Sequence, residues 1–131
     1  MNADSLSCSD AAVLATERGE EEAVLAWLDG GGWVDATYQR GQASGLTLLI
    51  GAAAHGHERV VELLIRRGAE LNLQDSVGGT ALIAAASGGH ERVVDLLLRH
   101  GAEINMQSSN GWTALSGAAF VVLQVDLRAM P

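Results

Sequence analysis

The pattern of hydrophobic and polar positions in residues 56–72 is repeated in residues 89–105. The two stretches read GHERVVELLIRRGAELN and GHERVVDLLLRHGAEIN, and 13 of their 17 positions are identical at an offset of 33 residues. In each copy the apolar residues cover more than one side of a helix, so the helix needs cover from a partner helix and from neighbouring units. A fixed period of this length is typical of proteins built from stacked repeats. The sequence therefore predicts two equivalent helices, whose apolar positions are Val60, Val61, Leu63, Leu64 and Ile65 in the first and Val93, Val94, Leu96, Leu97 and Leu98 in the second.

A shorter helix is predicted before each of these two helices and once more near the end of the chain. Threonine recurs every 33 residues, at Thr47, Thr80 and Thr113, and its hydroxyl can cap the free backbone N–H groups at a helix start. Gly56 and Gly89 are predicted to reverse the chain between first and second helices, because such a turn usually needs a residue that adopts a positive φ. Pairs of small residues follow each threonine and should let another helix approach closely. These pairs are Ala52–Ala53, Ala85–Ala86 and Ala118–Ala119.

A degenerate unit precedes the two full copies. When Gly19 is aligned with Gly56, the stretch DAAVLATERGEEEAVLAWLDGGGWVDA follows the same pattern with a polar outer helix, and Trp27 takes a core position. The connection from Gly31 to Thr47 is four residues longer than the one from Gly68 to Thr80. The extra length falls in TYQRGQASG, whose composition predicts a mobile loop.

A third unit begins at Ser108 and loses the pattern after Phe120. Where the second helix should follow, the chain reads VVLQVDLRAMP, without the glycine turn and its histidine. The alternation of apolar residues there fits a strand as well as a ragged helix.

The whole pattern, G-x-T-x-L-x-x-A-A-x-x-G-H-x-x-V-V-x-L-L-L-x-x-G-A-x-x-N, is similar to the ankyrin repeat. It departs from the T-P-L-H-x-A signature of that family, since TLLI, TALI and TALS lack both the proline and the histidine. The resemblance covers about residues 10–120 and implies an all-α fold, an ankyrin-type α-solenoid of stacked helix-turn-helix repeats with short hairpin-like loops. It divides a single domain into a capping repeat at 10–36, an extended loop at 37–44, repeats at 45–74 and 75–107, a partial repeat at 108–120 and an atypical tail at 121–131.

The charge pattern narrows the range of partners. The net charge is −8, and residues 1–35 hold eight acidic residues against the single base Arg18, whereas the remainder is nearly neutral. Nucleic acids and anionic membranes require clusters of basic residues, so neither is an expected partner. The start of the chain lacks the pattern of a secretory signal, and its longest apolar run is far shorter than the roughly 20 residues of a spanning helix. With a single cysteine, Cys8, the expected location is cytoplasmic or nuclear.

Four histidines and an acidic cluster are the residues that could form a metal or catalytic site. The HGHE stretch that contains His55 and His57 does not place two histidines on one helical face, as a zinc protease motif would. By the family resemblance, His57 and His90 instead are expected to bond back to the loop near the capping threonine. The glutamates of residues 17–23 fit the start of a solvated helix, and DGGG at 29–32 lacks the flanking strand and lysine of a phosphate-binding loop. We therefore expect no catalytic, metal or cofactor site.

The resemblance implies protein–protein recognition by a rigid, non-catalytic scaffold, through loop tips and the concave face of the first helices. Trp112 lies in a loop at a position that faces partners in ankyrin proteins, or it covers the unfinished C-terminal edge. Trp33 and Tyr38, in the long first connection, are further candidate anchors. Position by position, the repeat pattern places the partner-binding residues at Gln74, Ser76, Val77, Gly79, Gln107, Ser109, Asn110, Trp112, Ala54, His55, Ser87 and Gly88.

Two other contexts remain open at this point. The chain could be a fragment or targeting segment of a larger ankyrin-containing signalling enzyme, of the kinase or ubiquitin ligase type, or a structural fragment without a function of its own. The genomic sequence downstream of residue 120 would distinguish them. The partner's identity is open, and the apolar tail leads us to expect self-association through the incomplete C-terminal edge.

Overall fold

The computed structural model describes residues 9–109, 111 and 113. The interpretations that concern Cys8, Asn110, Trp112 and residues 114–131, including the apolar tail and its self-association, lie outside the described residues. In chain order the elements are α1 (Asp10–Arg18), α2 (Glu21–Asp29), β1 (Thr37–Arg40), β2 (Ala43–Thr47), α3 (Leu48–Ala54), α4 (Glu58–Arg66), α5 (Ala81–Ser87) and α6 (Glu91–Arg99).

The helices form two layers of stacked pairs. The first helices α1, α3 and α5 pack side by side in one layer, and the second helices α2, α4 and α6 form the other. Each first helix also packs against the second helix that follows it. The predicted stack of helix pairs is confirmed, with the addition of a small two-stranded sheet.

The core lies between the two layers, at the positions that the repeat pattern predicts. Leu64 and Leu97 are completely buried, and so are the alanine pairs of α3 and α5. Because alanine ends at Cβ, the two first helices pack directly against each other. Trp27, predicted in the core, is half-buried against it.

The predicted helix ends are also confirmed where the structure describes them. Thr47 Oγ1 accepts from the backbone N–H of Ile50 at 3.1 Å, and Thr80 Oγ1 accepts from that of Ile83 at 3.2 Å. The reversing glycines Gly56 and Gly89 have φ of +72° and +73°.

No helix among the described residues is long and apolar enough to cross a membrane.

The segment predicted as an extended loop at 37–44 is a β-hairpin instead. Strands β1 and β2 pair antiparallel, with Thr37 opposite Thr47 and Tyr38 opposite Leu46. Threonine and tyrosine favour strands, and Gly41 sits in the turn. A segment rich in polar residues and glycine is typical of a loop, and its composition does not indicate the strand pairing that the four added residues permit.

The prediction that His57 and His90 bond to the loop near the capping threonine is wrong. Each ring reaches the preceding helix pair: His57 Nε2 lies 2.6 Å from the carbonyl oxygen of Glu17, and His90 Nε2 lies 3.0 Å from that of Ala54. The ring fits there because the turn of the preceding unit has a glycine. A Cβ on Gly19 would lie 2.7 Å from His57 Nδ1, so any side chain would displace the ring.

Candidate interaction surface

The loop tip between α4 and α5 is closed by hydrogen bonds to Asp75. Its Oδ1 accepts from the backbone N–H of Val77 at 3.0 Å and from that of Gly79 at 2.9 Å, and its own N–H donates to the Gly79 carbonyl at 2.9 Å. Asp75 is suited to this role because its short carboxylate reaches the backbone two to four residues ahead. Val77 stands at the tip with 53% of its surface exposed. An apolar side chain is therefore held outward on a closed loop.

Successive tips are bonded to each other. The N–H of Ser76 donates to the Ser44 carbonyl at 2.8 Å, while the N–H of Ser44 donates to Ser76 Oγ at 2.9 Å. On the other side, the N–H of Ser109 donates to the Val77 carbonyl at 2.7 Å. Strand β2 at Ser44, the tip that carries Ser76 and Val77, and the next tip at Ser109 thus form one continuous edge, the tip edge.

Gln74 braces this edge. Its side-chain Nε2 donates to the Gly78 carbonyl and to the Gln107 carbonyl, each at 2.9 Å. A primary amide nitrogen carries two hydrogens, and both have an acceptor here. Gln74 and Ser76, predicted as partner-binding residues, therefore both use side-chain atoms to hold adjacent tips together.

The predicted positions at the ends of the first helices are exposed. Ala54 is the last residue of α3 and His55 follows it, and Ser87 and Gly88 are their equivalents at the end of α5. His55 Nδ1 lies 2.9 Å from the Gly51 carbonyl, and the His55 ring stacks on that of His57 at 6.1 Å between centroids. These helix ends are a second set of exposed positions, one helix length away from the helix starts that follow the tips.

An ion pair joins the hairpin to α1. Arg40 Nε donates to Glu17 Oε2 at 2.9 Å, and Arg40 Nη2 donates to Glu17 Oε1. These hydrogen bonds hold the pKa of the Glu17 carboxyl below its ordinary value, although partial burial opposes the shift and the charges of Arg40 and His55 add to it. The bidentate geometry fixes the end of β1 over the end of α1.

The stabilising contribution of this ion pair should depend on pH. Because folding lowers the pKa of Glu17, the contribution is present above the ordinary glutamate value of ~4.3 and is lost as the pH falls through the lower folded value. A carbon-13 NMR titration of the Glu17 carboxyl should give a midpoint below that of the Arg40→Gln variant. Equal midpoints in the two proteins would show that Arg40 does not hold the carboxylate in solution.

The predicted surface residues do not all lie together in the structure, because they are divided between the tip edge and the first-helix layer. Val77, Ser109 and the ends of the first helices are exposed along the tip edge and the first-helix layer. The sequence reasoning missed the contact of Tyr38 with Gly51. The sequence feature that points to this contact is Gly51, a glycine in the middle of the alanine-rich helix α3.

The described residues contain no group of three or more histidine, cysteine, aspartate or glutamate side chains placed to hold a metal ion.

A family model described as ankyrin repeats, in three copies, matches residues 49–121, which is more than half of the chain. No curated protein matches the sequence significantly.

Proposed function

Because the chain belongs to the ankyrin-repeat family, whose domains generally mediate protein–protein interactions, we propose that it is a non-catalytic scaffold. In this proposal a protein partner binds along the tip edge and the exposed part of the first-helix layer. Ankyrin-repeat domains are typically non-catalytic, and the polar side chains of Gln74 and Asp75 on the tip edge are used in hydrogen bonds within and between the tips. Recognition rather than chemistry therefore suits this surface.

The observation that carries the proposal is the exposure of Val77 on a braced loop. The loop is closed by Asp75 and tied to both neighbouring tips, so little conformational freedom remains to be lost on binding. A preorganised apolar anchor binds more tightly than the same side chain on a flexible loop, because less entropy is lost. Ser109, on the next tip, extends the same edge.

The proposal predicts that a partner can be cross-linked from Val77. The photoreactive residue p-benzoylphenylalanine would replace Val77, and the protein would be irradiated in an extract of its source cells. We expect a discrete protein adduct, because the tip projects into the partner interface. Mass spectrometry would identify the adduct, and excess unmodified protein should compete it away, since a specific site saturates.

The matched control carries the same photoreactive residue at Arg92, an exposed position on α6 in the second-helix layer. Little of the same adduct is expected from this position. Equal adducts from positions 77 and 92, or adducts that unmodified protein does not compete, would contradict a partner site at the tips.

A further inference from the structure

We propose that the β1–β2 hairpin is an intramolecular cover over the α3 part of the first-helix face. Contacts of Tyr38, among them its contact with Gly51, and the Arg40–Glu17 ion pair keep it closed. The inference rests on the proposed function in one respect, namely that a partner uses this face. A closed hairpin then limits how much of the face the partner can reach.

Tyr38 occupies space that exists only because position 51 is glycine. A Cβ built on Gly51 would collide with the Tyr38 hydroxyl, and the next nearest atom, Tyr38 Cζ, would be at 3.5 Å. The turn glycines align Gly51 with Leu14 in α1 and with Ala84 in α5. Leu14 and Ala84 carry side chains at this position, whereas Gly117, the equivalent residue of the third unit, is also glycine. Glycine inside a helix is less favourable than alanine, and at position 51 the absent Cβ leaves room for the tyrosine hydroxyl.

Burial shows how much of the face the hairpin covers. Ile50 is only 4% exposed and Gly51 is buried, whereas their equivalents in α5, Ile83 and Ala84, are half-buried. The two first helices otherwise have similar sequences, LLIGAAA and ALIAAAS, and both start at a capping threonine. At Gly51 the covering atoms are those of the Tyr38 ring end, with Thr16 of α1 beside them.

The hairpin is bound at its two sides in different ways. Its β2 side is bonded to the next tip through the backbone and hydroxyl bonds between Ser44 and Ser76. Its β1 side stands over α1, and a groove of about 530 Å³ remains between them, lined by Val13, Leu14 and residues 37–40. Arg40 crosses to Glu17 at this groove, and half of its side chain is exposed. The β1 side is thus the one that can lift, because its ion pair to α1 is partly exposed, whereas the β2 side is bonded to the next tip.

The test measures amide hydrogen exchange of residues 37–47 by mass spectrometry in Gly51→Ala and in Tyr38→Ala. Both variants are expected to exchange faster there by about tenfold, equivalent to about 1.4 kcal/mol of local opening. Gly51→Ala should not lower the melting temperature, because alanine favours the helix while its Cβ displaces the tyrosine. The double variant should exchange like Tyr38→Ala alone, since the added methyl group then meets no ring.

The matched control is Ala84→Gly, the reciprocal change at the equivalent position of α5. It should leave exchange in residues 37–47 unchanged, even if α5 itself becomes less stable. Unchanged hairpin exchange in Gly51→Ala, or an equal rise in Ala84→Gly, would overturn the docked hairpin.

The consequence for binding is tested with the photoreactive residue at position 77. Combined with Gly51→Ala, it should give a higher yield of the partner adduct than in the wild-type background, because an open hairpin uncovers more of the face. An adduct that forms with the same yield in both backgrounds would overturn the cover. If the adduct forms equally in both, the proposed function stands without the cover. If hairpin exchange rises but no adduct forms, the hairpin is docked but the proposed partner site is wrong.

Discussion

Replacing Leu64 or Leu97 with alanine is expected to lower the free energy of unfolding by about 2–5 kcal/mol, the usual effect of truncating a fully buried leucine. Both side chains are completely buried where the second helix of a repeat meets its own first helix and the neighbouring pair. In a repeat array each unit is stabilised by its neighbours, so either loss weakens an interface as well as a unit. Urea denaturation followed by circular dichroism would measure the change.

Leu63→Ala is the matched control, because Leu63 is the neighbouring leucine on α4 but is only half-buried. It should cost clearly less than Leu64→Ala, since less apolar surface leaves contact with the core. If Leu64→Ala and Leu97→Ala were both neutral, the placement of the second helices in the core would be wrong.

Replacing Gly56 with alanine is expected to cost about 2–4 kcal/mol, as the sum of left-handed backbone strain and overpacking. Gly56 has φ of +72°, which a residue with a side chain adopts only at a cost. In addition, a Cβ at this position would lie 2.5 Å from His90 Nδ1. The ring would then have to leave the Ala54 carbonyl, to which His90 bonds across the two repeats. Chemical denaturation would measure the combined effect.

Gly68→Ala separates the two contributions. Gly68 has φ of +86°, but none of the described residues lies within 4 Å of the added methyl group, so only the backbone strain should appear. In a double-mutant cycle, Gly56→Ala combined with His90→Ala should cost less than the sum of the single changes, because each removes the same contact. Strict additivity would show that His90 does not pack on Gly56 in solution.

The candidate surface was predictable to the extent that it follows the repeat. The exposure of Val77 and of the helix ends at Ala54 and Ser87 follows from their positions in the period, since equivalent positions share an environment. The bracing by Gln74 was not predictable, because its two acceptors are carbonyls whose positions depend on how tips stack. The same limit applies to Tyr38, which the sequence indicated as an exposed anchor and the structure shows half-buried against α3.

The sequence alone determined the helix pairs, their threonine caps, their glycine turns and the leucines between them. These features depend on a few adjacent residues and recur at a period of 33, so each copy supports the interpretation of the other. The tertiary structure decided the contacts between units. His57 reaches Glu17 across 40 residues and Arg40 reaches the same residue across 23. Such contacts depend on the distance and register between packed helices, and no local pattern encodes these. The hairpin is the clearest case, because Tyr38 docks on Gly51 of α3 where Thr16 of the neighbouring α1 lies beside it.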